Sequence, residues 1–164
     1  ERGTDFHRQV EHYIKTGQIL DDIDKDIVKR FSKIKFSGQL FSEVLLAETE
    51  EYKIAGTTDI ILFLDQKRFE IYDFKTNSKF ETSSKYGNTM LFPIQHLPDS
   101  QLHFYSLYFF LYSYLLIRDG FILHKAPTIL YIRPDDRKIE QIECLDMTKE
   151  INTLLKHYKK MMEF

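Results

Sequence analysis

Residues 54–75 read IAGTTDIILFLDQKRFEIYDFK and predict two apolar strands joined by a polar turn at 65–68. Asp59 lies inside the first predicted strand and Asp73 inside the second. A carboxylate inside a sheet is costly unless it meets a metal ion, an ion-pair partner or a solvent-lined cleft. Lys75 follows Asp73 by two positions, so both side chains point to the same face of their strand. If the two strands are neighbours, two acids and one ammonium group converge, and this arrangement suits a hard divalent cation with a water molecule beside it.

The composition limits the class of protein. With 164 residues, 43% of them hydrophobic, the chain is long enough for one domain spanning 1–164 with its own core. Because it opens on the charged residues Glu1 and Arg2, that domain could equally be a fragment of a longer protein. The single Cys144 can form no internal disulfide and no cysteine cluster is present for zinc or iron–sulfur. We therefore expect an intracellular location, the cytoplasm or an organelle matrix in a eukaryote.

The charge distribution points to the same pair of strands. The formal net charge of −2 argues against a protein that grips nucleic acid by bulk electrostatics. Residues 67–85 nevertheless contain five lysines or arginines against three acids. A divalent ion at the two aspartates would make the local field positive, whereas without it these lysines are an ordinary solvated face. The longest apolar run, 102–117, is too short to span a bilayer and contains four tyrosines, so we expect a buried helix and no membrane partner.

Hydrophobic periodicity predicts the element order ααβββαββα, a mixed α/β (α+β) fold with a central mixed sheet flanked by helices. The predicted helices cover 3–17, with Gly3 and Thr4 at its cap, then 19–31, 101–119 and 147–162; the predicted strands cover 41–48, 54–65, 69–75, 127–133 and 139–145; and 78–100 is a predicted polar loop. The closing helix is expected to turn Ile151, Leu154, Leu155 and Tyr158 inward.

Four motifs occur in order along these elements. They are Gly3-x-x-x-His7 on the first helix, Gly56-Thr57-Thr58-Asp59 and Asp73-Phe74-Lys75-Thr76 on two strands, and Gln101-Leu102-His103-Phe104-Tyr105 at the start of the long helix. Together they resemble the PD-(D/E)XK nuclease superfamily, and within it the RecB-like exonuclease branch. Each motif recurs by chance in unrelated proteins, but four in register on the expected elements are specific. That branch often carries a four-cysteine iron–sulfur staple, so this chain is similar to its cluster-free members.

The resemblance implies a restriction-endonuclease-like core and metal-dependent hydrolysis of DNA phosphodiester bonds by a cation-activated water. Asp59 and Asp73 would supply oxygen ligands for one or two Mg²⁺ or Mn²⁺ ions, and the Phe74 carbonyl would also touch the metal. Lys75 would hold the attacking water and help to lower its pKa. His7 would add a nitrogen ligand, which should make Mn²⁺ at least as competent as Mg²⁺.

The resemblance also implies contacts to the nucleic-acid strand, made by Gln101, Tyr105 and Thr76. The expected partner is DNA, single-stranded or with free ends, because a narrow cleft can thread one strand and stack its bases on aromatic rings. Tyr105 also belongs to a stripe with Tyr108 and Tyr112, a spacing that is more typical of core packing than of base stacking. No ATPase loop is visible, so a helicase or recombination partner would be a separate protein or lie outside this chain.

Two further acids have weaker support, and the functional alternatives stay open. Glu11 lies one turn after His7 and is a candidate partner for the imidazole, whereas Glu43 could face either the cleft or solvent. The rival functions are an endonuclease of the same superfamily, a non-catalytic nucleic-acid-binding module, and a structural protein in which Asp59, Asp73 and Lys75 form an ion pair between strands.

Overall fold

A computed structural model describes the backbone of residues 2–163 and the side chains of residues 5–163. The side chain of Thr4, which with Gly3 forms the predicted cap, lies outside those described. In chain order the elements are α1 (Arg2–Thr16), α2 (Lys25–Ser32), β1 (Gln39–Glu48), β2 (Ile54–Phe63), β3 (Arg68–Lys75), α3 (Gln101–Arg118), β4 (Ile122–Leu123), β5 (Thr128–Ile132), β6 (Ile139–Glu143) and α4 (Thr148–Met162).

The predicted fold class is confirmed, with two corrections to the elements. The order is ααβββαβββα rather than ααβββαββα, because the two-residue strand β4 pairs with β3 and is too short to show a period. The second helix begins at Lys25, later than predicted. Its apolar spacing does extend upstream, but the Asp22 side chain accepts the N–H of Ile23 and the Asp24 carbonyl accepts the first helical bonds.

The sheet places β3 at its centre. The strand order is β1-β2-β3-β5-β6, and β4 lies beside β3 off this path. The first three strands form an antiparallel meander, and β5 and β6 form an antiparallel hairpin. Between these two units β3 and β5 run parallel, which is the pairing that needs a long crossover, and α3 lies in that crossover. The segment of β3 that carries Asp73 and Lys75 therefore pairs with β5 on one side, whereas its pairing with β2 on the other side ends at Tyr72.

Helices cover the two faces of the sheet with separate hydrophobic layers. On one face α1 and α2 pack Phe6, Val28 and Phe31 against Tyr72 and Phe74 of β3. On the other face α3 and α4 pack against the alternate β3 side chains; this second layer includes Phe69, Ile71, Phe109, Leu115, Ile151 and Leu155. The alternation of β3 between the two layers explains why residues 69–74 are all buried, although Glu70 and Asp73 among them carry charge.

The closing helix differs from its prediction at one residue. Ile151 and Leu155 are buried and Leu154 is partly buried, but Tyr158 is 41% exposed. Its ring lies beside an open apolar groove that Met161 also lines, so helical spacing alone overestimated its burial. Across the described residues, 2–163, none of the helices combines the length and the apolar character needed to span a bilayer.

Candidate active site

The two aspartates lie where β2 and β3 separate. The last pair between these strands joins Ile60 to Tyr72, and Asp59 and Asp73 are the residues next to that pair. Beyond that point, Asp59 Oδ2 accepts the Phe74 N–H at 3.0 Å, and Asp73 Oδ1 lies 3.4 Å from the Asp59 N–H. The carboxylates thus accept hydrogen bonds from backbone N–H groups at the point where the two strands no longer pair, and these bonds give each acid a defined position.

A lysine and a histidine complete the cluster from two other positions. Lys75 Nζ lies 2.9 Å from Asp73 Oδ2, on the shared strand face that its spacing predicts. His7 reaches in from α1 and places Nε2 at 3.0 Å from Asp59 Oδ2. All four side chains, together with Phe74, line one cavity of about 350 Å³. The structure therefore brings into one cavity the residues for which the resemblance implies metal and water binding.

The surroundings of the two acids shift their pKa values in opposite directions. Asp73 is 5% exposed, and its burial together with the nearby Asp59 charge raises its pKa to about 7. Burial acts on Asp59 in the same direction, but hydrogen bonds from His7 and the Phe74 N–H outweigh it and leave the pKa of Asp59 below its ordinary value. Burial also opposes the charge on Lys75, but the attraction of Asp73 is stronger and raises the pKa of the ammonium group. A divalent cation would relieve the repulsion between the two acids.

The donor atoms suit a hard cation but are engaged with one another. Two carboxylates and an imidazole are the donor types that Mn²⁺ and Mg²⁺ sites use. Among the described residues, however, no three His, Cys, Asp or Glu side chains are already grouped around a common point. Asp59 Oδ2 is bonded to His7 and Asp73 Oδ2 to Lys75, so the Nε2 atom of His7 would have to leave Asp59 before that atom could bind a cation.

Helix α3 forms an aromatic wall of the same cavity. The lining residues from this helix are Phe104, Tyr105, Tyr108, Phe109 and Tyr112. The Lys75 Nζ lies 4.5 Å from the centre of the Tyr105 ring, a cation–π contact that holds the ammonium group beside the acids. The core interpretation of the tyrosine stripe holds for Tyr112, which is 4% exposed, but not for Tyr108, which is 46% exposed.

The glycine of the Gly-x-x-Asp strand makes room for this wall. A Cβ atom added at Gly56 would lie 2.4 Å from the Tyr112 hydroxyl oxygen and 2.5–2.7 Å from its ring carbons. Only glycine lets α3 approach β2 so closely at this point. The sequence prediction did not assign Phe104, Tyr108, Phe109 and Tyr112 to the site, although their spacing from Tyr105 by one, three, four and seven positions puts most of them near one helix face.

Three predicted site residues have other surroundings. Gln101 does not line the cavity, and its Oε1 accepts the Glu81 N–H at 2.8 Å, which ties the loop before α3 to the start of that helix. Thr76 lines a second cavity that also contains Arg133. Glu11 accepts a hydrogen bond from Lys15 at 2.6 Å, while the histidine is bonded to Asp59 rather than to this acid in the contacts described above.

Glu43 lies directly across the β1–β2 pair from Asp59. The flanking pairs are Ser42 with Ile60 and Val44 with Thr58, so Glu43 and Asp59 occupy opposing positions at an interruption of the ladder. The backbone of Glu43 has φ 51°, a left-handed conformation that a non-glycine residue adopts at a cost. Burial and the Asp59 charge raise the pKa of Glu43. This third carboxylate is therefore held near the cluster, although it does not line the cavity.

Comparisons with known proteins leave the family open. No protein-family model matches the chain, and a search of curated proteins finds no significant match. Among solved structures the chain is similar to one described as "Crystal structure of SSO0001", with 18% identity and a TM-score of 0.44. The match covers 99% of this chain and 59% of the other, so this chain spans about three fifths of that structure's length.

Proposed function

We propose that this protein is a Mg²⁺- or Mn²⁺-dependent deoxyribonuclease of the RecB-like PD-(D/E)XK type that removes nucleotides from single-stranded DNA or DNA ends. The observation that carries the proposal is the meeting of Asp59, Asp73 and Lys75 in one cavity at the point where β2 and β3 separate. Asp73 is buried beside the half-buried Asp59, and its burial together with the Asp59 charge raises its pKa to about 7, which is costly for a purely structural pair. Intracellular work on DNA ends, in repair or recombination, fits this activity.

Each residue of the site has a separate role in the proposed reaction. Asp59, Asp73 and His7 would hold the metal, with the Phe74 carbonyl as a further oxygen donor. When bound, the metal would lower the pKa of a water molecule and neutralise charge on the phosphate. Lys75 would hold that water and donate a hydrogen bond to a developing negative charge; the contacts of its ammonium group with Asp73 and the Tyr105 ring support this role.

The test is hydrolysis of end-labelled single-stranded DNA by the purified chain. We expect activity with Mg²⁺ or Mn²⁺, loss with EDTA, and a loss of about 10²- to 10⁴-fold in rate for Lys75→Ala. Lys156→Ala is the matched control, because this exposed lysine of α4 lies outside the cavity. Undiminished hydrolysis by the Lys75→Ala protein would refute the assigned roles.

The mode of cleavage needs a second substrate. The motif set favours an exonuclease, which leaves a covalently closed circle intact, whereas an endonuclease of the same superfamily cuts it. We therefore expect the chain to digest linear single-stranded DNA and to leave a circular single strand of the same sequence unchanged. A nuclease fold that only binds nucleic acid would retain DNA without hydrolysing either form.

A further inference from the structure

Two aromatic rings at the mouth of the cavity are exposed without a packing reason. Phe104 and Tyr108 lie one turn apart on α3 and are 53% and 46% exposed. Both line the cavity that holds Lys75 and the two aspartates. The next aromatic residues on this helix face, Phe109 and Tyr112, are almost fully buried. The apolar surface of α3 thus continues past the core into the cleft.

We propose that Phe104 and Tyr108 form a stacking subsite for unpaired nucleobases, which makes the enzyme select single strands and frayed ends. This inference rests on the proposed nuclease function and names the part of the substrate that the cleft recognises. Every nucleobase has a flat aromatic face, so a pair of exposed rings binds a strand with little dependence on its sequence. Bases held here would lie next to the cavity in which their phosphates could meet Lys75.

The two rings are held in place by their neighbours. The Phe104 and Tyr108 ring centres are 5.9 Å apart, with their planes inclined by only 31°. Tyr108 is braced by the edge of the Tyr112 ring at 5.0 Å, and Phe104 packs against Tyr105 at 5.7 Å. A platform that is already ordered loses little side-chain entropy when a base binds.

The faces of the two rings favour unstacked bases. In a duplex, each base inside the stack has both faces covered by the neighbouring base pairs, so it must leave the stack before it can lie on either ring. An unpaired base can do this at little cost, whereas a paired duplex would first have to open. We therefore expect the rings to favour single strands and frayed ends.

The charges of the cleft make stacking important for affinity. Among its described lining residues the cavity has a single lysine, Lys75, and no arginine. Few phosphates can therefore be neutralised there, and we expect log K to fall with log salt concentration with a slope of only about −1 to −2, since each phosphate on a single strand contributes about −0.7. Stacked rings would supply much of the remaining affinity.

The experiment measures binding of a fluorescein-labelled oligodeoxythymidylate by anisotropy, with all proteins carrying Asp73→Asn to prevent hydrolysis. Phe104→Leu and Tyr108→Leu keep apolar side chains but remove the aromatic face. Each is expected to weaken binding by about 5- to 150-fold. Tyr158→Leu is the matched control, because it removes a ring of similar exposure on α4, outside the cleft.

A second ligand tests the same contact from the DNA side. An oligomer of equal length with abasic sites cannot stack, so the Asp73→Asn parent should bind it about as weakly as the Leu variants bind the normal strand. The conservative Tyr108→Phe change should retain binding. Equal affinity of the parent for normal and abasic strands, or full affinity in both Leu variants, would overturn the stacking subsite.

The outcomes separate this inference from the proposed function. If the wild-type chain hydrolyses DNA in a Lys75-dependent way and the Leu variants bind single strands normally, the nuclease stands and the subsite is wrong. If the chain neither binds nor hydrolyses DNA, both are refuted. Loss of single-strand binding in the Leu variants but not in Tyr158→Leu supports the subsite, and it supports both together when the wild-type chain also hydrolyses DNA in a Lys75-dependent way.

Discussion

Replacing Asp73 by asparagine should stabilise the metal-free protein at pH 8 while abolishing hydrolysis. The side chain is buried beside Asp59, and these surroundings raise its pKa to about 7 from the ordinary value of 3.8. Because the folded-state pKa is the higher one, the carboxylate destabilises the fold increasingly as the pH rises from about 3.8 to about 7, and fully above that. Asparagine removes the charge and can still accept the hydrogen bond from Lys75.

The size of the effect follows from the two pKa values. A difference of roughly three pKa units corresponds to about 4 kcal/mol, since each unit is worth about 1.4 kcal/mol. This is an upper limit, because Lys75 loses its ionic partner when Asp73 is neutralised. We therefore expect a gain of about 1–2 kcal/mol at pH 8, which raises the melting temperature by about 2–8 °C in a domain of this size.

Thermal unfolding followed by circular dichroism in EDTA, at pH 8 and at pH 4.5, measures this difference. The gain for Asp73→Asn should be present at pH 8 and small at pH 4.5, where the wild-type carboxyl group is already protonated in the folded protein. Asp99→Asn, an exposed acid outside the cavity, is the matched control and should change neither value. Added Mn²⁺ should stabilise the wild type and not the Asp73→Asn variant. A melting temperature for Asp73→Asn at or below that of the wild type at pH 8 would show that burial and the Asp59 charge do not destabilise the Asp73 carboxylate as inferred.

Three further substitutions probe the surroundings of the site. Gly56→Ala should lower the free energy of unfolding in urea by about 1–3 kcal/mol, because the new methyl group overlaps the Tyr112 ring. The loss should be smaller when Tyr112→Leu is already present. Equal losses in both backgrounds would refute the contact. His7→Ala should weaken Mn²⁺ binding in calorimetric titrations at least about tenfold, and an unchanged affinity would remove the imidazole from the ligand set. Tyr72→Phe deletes the hydroxyl that donates to the buried Glu70 carboxylate and should cost about 1–3 kcal/mol in urea unfolding, whereas no loss would show that the carboxylate has adequate solvent.

Predictions from local geometry agree with the structure, whereas several that depend on packing do not. Asp73 and Lys75 share a strand face because neighbours two apart in a strand always do, and the strands themselves follow from their apolar period. The predicted start of the second helix was wrong because side-chain and turn hydrogen bonds around Asp22 hold this segment outside the helix, although its apolar spacing continues upstream. The predicted burial of Tyr158 was wrong because helical spacing gives the direction of a side chain, but not where the neighbouring surface ends.

Short-range periodicity and residue chemistry were enough to predict five of the six strands, the long helix, the fold class and the acids that could form a site. The motif resemblance implied that His7 joins these acids, but the hydrogen bond between His7 and Asp59, 52 positions apart, and the position of Glu43 opposite Asp59 follow from the packing of the folded chain. The exposure of Phe104 at the cleft follows from the same packing. Such contacts depend on which elements pack together and where their surfaces end, and no local pattern carries that information.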